Sequence, residues 1–142
     1  MPTIPDLIRQ ATGLAETGMH KEALAVLRIA IRQDPNNTIA WYNQGVTVYA
    51  LGNFRDAVNT FGQAADIDPD FTDAWFNKGM ALAHLDKNIE ALRAFERVLQ
   101  IDPRDQEARN QRDRVLKKLS DTPKGTLPHE PHTQQLKTAV NV

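Results

Sequence analysis

The 142-residue chain contains no cysteine, which excludes disulfides, thiolate metal sites and cysteine nucleophiles and fits a reducing compartment. It has a single serine, Ser120, at the end of an expected helix, a poor position for the nucleophile of a Ser-His-Asp site. No apolar run approaches the roughly 20 residues of a membrane helix. The start, MPTIPDLIRQ, lacks the basic flank and apolar core of a secretory signal. Neither charge sign dominates: 17 Lys and Arg face 18 Asp and Glu, a net charge of −1. A near-neutral chain gives no reason to expect a nucleic-acid partner. GxGxxG, GxxxxGK[ST] and HExxH are all missing. The absences together predict a soluble cytoplasmic protein that is not an enzyme, holds no cofactor or metal, binds no nucleic acid and does not insert into a membrane.

What is present is a repeat. AWYNQG at 40–45 returns as AWFNKG at 74–79, 34 residues later. Trp41 and Gly45 return as Trp75 and Gly79. Ala23 returns as Ala57 and Ala91, Leu27 as Phe61 and Phe95, and Ala30 as Ala64 and Val98. The dipeptides Asp34-Pro35, Asp68-Pro69 and Asp102-Pro103 keep the same interval. So many positions on one period imply a duplicated structural unit.

Each unit reads as two helices. Trp41, Gly45, Val48 and Leu51 recur at spacings of three and four, LGNF at 51–54 breaks the pattern, and Ala57, Val58, Phe61, Ala64, Ala65 and Ile67 form a second stripe. Proline at 69 then ends the helix and pushes Asp68 out of helical geometry. The acids Asp66, Asp68, Asp70 and Asp73 straddle that break as turn and helix-start residues; the glycine and final glutamate of an EF-hand loop are missing. A glycine inside a helix costs about 0.5–1 kcal/mol against alanine. Gly45 and Gly79 are therefore expected where the partner helix, with Ala57 and Ala91, crosses closely. Trp41, Trp75, Phe61 and Phe95 are expected to fill the wider ends.

With these residues the chain resembles the tetratricopeptide repeat, whose 34-residue unit carries Trp, Leu-Gly, Tyr, Ala, Phe and Pro at set places. The second unit, about 38–71, supplies Trp41, Gly45, Ala57, Phe61 and Pro69; the third, about 72–105, supplies Trp75, Gly79, Ala91, Phe95 and Pro103. The first, about 4–37, diverges, with Leu7 for Trp and Ala11 for Gly before Ala23, Leu27 and Pro35. Gln44 and Lys78 stand for the pattern's Leu, and Val48 and Leu82 for its Tyr. From 106, Ala108 and Leu116 continue the register, but Arg109 and Asp113 replace Trp and Gly, so 106–119 reads as a polar-faced capping helix. The resemblance covers about 4–119. It implies an all-α, right-handed solenoid of three helix-turn-helix units plus a cap, spanning 1–120. Residues 121–142 leave the pattern. Their prolines, and histidines 129 and 132 in HEPH, read as a flexible, solvated tail, with QQLKTAV at most a marginal helical turn.

The resemblance also implies a function: a protein-interaction module or scaffold whose first helices line a concave groove for an extended peptide or a partner helix. By register that groove carries Ile8, Arg9 and Thr12; Tyr42, Asn43, Val46 and Tyr49; Phe76, Asn77, Met80 and His84; and, from the cap, Gln111, Arg114 and Lys118. Asn43 and Asn77 share a repeat position, and an asparagine offers a peptide group both donor and acceptor. Asparagine is equally the ordinary residue of that position. Some relatives hold a carboxylate with lysines, asparagines and an arginine on successive first helices. Here Asn43 fits, but Pro5, Arg9, Asp73 and Asn77 stand where Lys, Asn, Lys and Arg are wanted, and Asp73 repels a carboxylate; a dedicated clamp of that type is not expected. Residues 1–103 hold 9 basic and 13 acidic side chains, and 104–119 hold 6 and 3. Such polarity permits a second reading, a protein that self-associates by stacking head to tail; an accessory subunit of a larger complex is a third.

Overall fold

The structure, a computed structural model, describes residues 1–121 and 136–140. Among these, seven helices follow one another with no strand: α1 (Ile4–Glu16), α2 (His20–Gln33), α3 (Thr38–Ala50), α4 (Phe54–Ile67), α5 (Thr72–His84), α6 (Asn88–Ile101) and α7 (Gln106–Asp121). They pack as antiparallel pairs, α1 on α2, α3 on α4 and α5 on α6, each pair stacking on the next and α7 closing the stack on α6. The result is a right-handed helical solenoid. None of the described helices is long and apolar enough to cross a membrane.

The 34-residue period reappears in the turns. Within each pair the first helix ends in the same way, with the Met19, Asn53 and Lys87 N–H groups donating to the Leu14, Val48 and Leu82 carbonyls. This wrap satisfies carbonyls that a helix end leaves open, and it needs a left-handed residue just before the donor. Gly18 and Gly52 take that place at φ 81 and φ 80; Asp86 takes it in the third pair at φ 58. Between pairs, Asp34, Asp68 and Asp102 each end a helix in extended geometry. Each carboxylate accepts the N–H two residues on, from Asn36, Asp70 and Arg104. This is the physical content of the repeated Asp-Pro: the acid closes the turn while the proline forbids more helix.

Three apolar clusters fill the stack, one per pair and its neighbour. The first gathers Leu7, Ile8, Leu27 and Ala40, the second Tyr42, Phe61, Ala64 and Ala74, and the third Phe76, Met80, Phe95, Val98 and Val115. Here the expected packing needs correction. The atoms nearest the open faces of Gly45 and Gly79 belong to the rings of Phe61 and Phe95, which approach closer than Ala57 and Ala91. A Cβ on Gly45 would lie 2.5 Å from Phe61, and one on Gly79 2.7 Å from Phe95. The glycines are thus sockets for two fully buried phenyl rings. Trp41 and Trp75 are only half-buried. An indole N–H needs an acceptor, and each reaches the proline carbonyl of the preceding turn, Trp41 to Pro35 at 2.7 Å and Trp75 to Pro69 at 2.9 Å. In α7 the Arg109 guanidinium takes over the same contact, to Pro103, at 2.7 and 3.1 Å. Leu116, in register with buried Val48 and Leu82, is 44% exposed, because among the described residues no further helix follows α7 to cover it.

Candidate functional site

The first helices of successive pairs, which also touch one another (α1 with α3, α3 with α5), share one side of the stack. What lies there is the chain's own residues 136–140, without helix or strand, seated across α3 and α5. The tail expectation is corrected for these five residues: they are not a helical turn, and they are held. The reason is that their backbone finds fixed partners and Leu136 and Val140 find apolar surface, which together offset the ordering entropy. The remaining tail positions, with the histidines 129 and 132, lie outside the described residues.

Two asparagines grip this segment. Asn43 Nδ2 donates to the Val140 carbonyl at 2.7 Å, and the Val140 N–H donates to Asn43 Oδ1 at 2.8 Å. Asn77 does the same one repeat on: the Lys137 N–H donates to its Oδ1 at 3.2 Å, and its Nδ2 donates to the Lys137 carbonyl at 3.4 Å. The second Nδ2 hydrogen of Asn77 goes to the Tyr42 hydroxyl at 3.0 Å, and that hydroxyl donates to the carbonyls of Lys137 and Thr138 at 3.3 and 3.2 Å. Each asparagine therefore satisfies both polar groups of one residue's backbone, as a β-strand neighbour would. Asn43 and Asn77 are 2% and 0% exposed. Burial, then the Asp73 charge, raise the Tyr42 pKa far above that of an ordinary phenol, more than the Asn77 hydrogen bond lowers it. The hydroxyl accordingly stays protonated, as a donor must.

The side chains of the segment are also accommodated. Leu136 packs against the second and third core clusters and Val140 against the second. The Lys137 ammonium lies 3.0 Å from Asp73 and 3.4 Å from Asp105, and 5.2 Å from the centre of the Phe76 ring. Burial works against its charge, but hydrogen bonding and attraction from Asp73, with Asp105 adding to both, outweigh that and leave its pKa above the usual lysine value. Asp105 is held in place by a second duty: its other oxygen caps α7 by accepting the Ala108 N–H at 2.9 Å.

Of the groove residues expected from sequence, Tyr42, Asn43, Phe76 and Asn77 converge on residues 136–140. Gln111 of α7 lines the open cleft beside Leu136, Lys137 and Thr138. Met80 is core, in the third cluster, and Val46 and Tyr49 are half-buried against the second. His84 stacks on Phe54 at 4.2 Å and meets Tyr49 edge-on. Ile8 and Thr12 are buried, and Arg114 is exposed on α7. Arg9 is exposed on α1 and pairs with Asp6. Asp73 was read as a helix-start residue and as a charge against carboxylates, and Asp105 was given no role. Nothing in one linear pattern places two acids from different repeats around one ammonium.

The tetratricopeptide repeat signature matches residues 8–53 and 47–106, more than half of the chain, and the protein belongs to that family. No match was found among curated proteins. Among solved structures, the first repeat domain of Spaghetti (RPAP3), bound to the HSP90 peptide SRMEEVD, is 25% identical with a TM-score of 0.78, over 81% of this chain and 91% of that one. The Sgt2 repeat domain from Aspergillus fumigatus is 17% identical with a TM-score of 0.81, over 96% and 92%. The second repeat domain of human RPAP3, in complex with the HSP70 peptide SGPTIEEVD, is 23% identical with a TM-score of 0.74, over 80% and 99%. Tetratricopeptide repeats are protein-interaction modules.

Proposed function

We propose that the concave groove receives an extended segment of a partner protein, gripped through its main chain by Asn43 and Asn77, with Tyr42 and Phe76 as walls. The observation that carries this reading is the paired hydrogen bonding of both asparagines to residues 137 and 140. Those bonds use only backbone atoms, so any extended chain with suitable side chains can make them. The spacing fits: stacked helices lie about 8–10 Å apart, which three extended residues span. The solved relative that carries the peptide SRMEEVD supports the same use of the fold. The chain's own segment is then a resident occupant that an incoming peptide must displace.

The test uses the full chain carrying Leu136→Asp and Val140→Asp, which removes the apolar anchors of the resident segment. A labelled peptide QQLKTAVNV, copied from 134–142, is titrated against it by fluorescence anisotropy. Saturable binding is expected, weakened by about tenfold or more when Asn43→Ala and Asn77→Ala are added, since each asparagine loses two hydrogen bonds worth about 0.5–1.5 kcal/mol apiece. Circular dichroism checks that each variant folds. Binding unmoved by the asparagine changes would place the interaction elsewhere and refute the groove.

A further inference from the structure

We infer that the groove is selective for a basic segment, an aliphatic residue followed by lysine and, three residues after the lysine, a second aliphatic residue, and that Leu136–Val140 is its built-in copy. The inference deepens the groove reading above and rests on it.

Register is the first argument. Among the described residues Asn77 brackets the backbone of residue 137 alone, so whichever residue takes that place has its side chain delivered to one spot. That spot is formed by the carboxylates of Asp73 and Asp105 and the face of Phe76. Two carboxylates that close on one ammonium, at 3.0 and 3.4 Å, make a site for a cation on a flexible stem. An aromatic face favours a cation further. A lysine stem covers the apolar wall while its head meets the acids. Asn43 fixes the second register position at 140, where the side chain meets the apolar second cluster. Leu136 meets both clusters, whereas Thr138 is exposed and Ala139, though half-buried, offers only a methyl group. The side chains read are thus those at 136, 137 and 140.

Sign is the second argument. The peptide SRMEEVD of the solved relative is rich in carboxylates. A glutamate at the place of Lys137 would instead be held against Asp73 and Asp105 in a half-buried site, where like charges repel with little screening. The same fold would therefore take segments of opposite charge, and the reversal is carried by Asp73 and Asp105. Because the chain contains its own matching segment, tethered by residues 122–135, an outside segment competes with it at a high effective concentration.

The full chain carrying Leu136→Asp and Val140→Asp is titrated with QQLKTAVNV and with the same peptide bearing Glu in place of Lys. The lysine peptide is expected to bind at least about tenfold more tightly, with a preference that shrinks as salt rises. Adding Asp73→Asn and Asp105→Asn should bring the two affinities within about threefold of each other, as the charges are lost. Asn at 105 still caps α7, so the fold has a reason to survive, and circular dichroism checks it. Equal affinity of both peptides, still abolished by Asn43→Ala and Asn77→Ala, would overturn the lysine selectivity and leave the groove standing. A lysine preference that persists in the Asp73→Asn, Asp105→Asn variant would also overturn it. Binding of neither peptide, or binding indifferent to the asparagines, would overturn both.

Discussion

Gly79 and Gly13 offer the same chemical change, glycine to alanine inside a helix, with opposite expected signs. At Gly79 the added Cβ would lie 2.7, 2.8 and 3.0 Å from the Cε1, Cζ and Cδ1 atoms of Phe95. Phe95 is fully buried and packs edge-on to Phe76 at 5.6 Å, so its ring has no solvent side into which to retreat. Overpacking of this kind costs about 1–3 kcal/mol, and the gain in helix propensity returns about 0.5–1 kcal/mol. Contacts this short against a fully buried ring put the overpacking cost in the upper half of its range, so the net expectation for Gly79→Ala is a loss of about 1–2.5 kcal/mol. At Gly13 nothing lies within 4 Å of the added atom. Only the propensity gain remains, so Gly13→Ala should stabilise by about 0.5–1 kcal/mol. Urea melts followed by helical circular dichroism compare the two, with the slope checked for loss of two-state behaviour. Phe95→Leu in the Gly79→Ala background should cost less than the two changes made separately, because the smaller side chain vacates the socket. A Gly79→Ala protein as stable as the parent, or both alanines shifting stability in one direction, would refute the socket argument.

Four further substitutions test single positions. Asp86 occupies a left-handed turn position that glycine fills in the other two pairs; Asp86→Gly should be neutral or stabilise by up to about 1 kcal/mol, and Gly52→Ala should destabilise by about 1–2 kcal/mol, in thermal melts. Trp75→Phe keeps the ring but loses the 2.9 Å bond to the Pro69 carbonyl; a loss of about 0.5–1.5 kcal/mol in urea is expected, well below that of a fully buried aromatic. Burial, then repulsion from Lys118, hold the pKa of His84 below its ordinary 6.5, against a smaller pull from Asp86. Protonation therefore favours the unfolded chain: the His84 contribution is whole above pH 6.5 and declines as the pH falls below it, and urea midpoints of the parent should drop more steeply over that range than those of His84→Gln.

The sequence by itself determined the architecture. A 34-residue period in side-chain size, in glycine and in Asp-Pro is a local property, written once per unit, and each unit's helices and turns follow from residues near one another in the chain. The shared position of Asn43 and Asn77 was legible for the same reason, since register along a solenoid is a matter of counting. Three things were not. Which ring enters each glycine socket depends on how two helices cross, and helical periodicity marks a buried face without naming the atom opposite. The depth of Trp41 and Trp75 was set by the search of each indole N–H for a carbonyl across the turn. The place of Leu136–Val140 lay furthest from reach. Composition marks that segment as unable to order alone, and it is ordered by groups 32 to 97 positions away. Only the stacking of α3, α5 and α7 brings Asn43, Asn77, Asp73 and Asp105 to one surface, and only there do an otherwise unsupported backbone and a lysine find partners that outweigh their freedom.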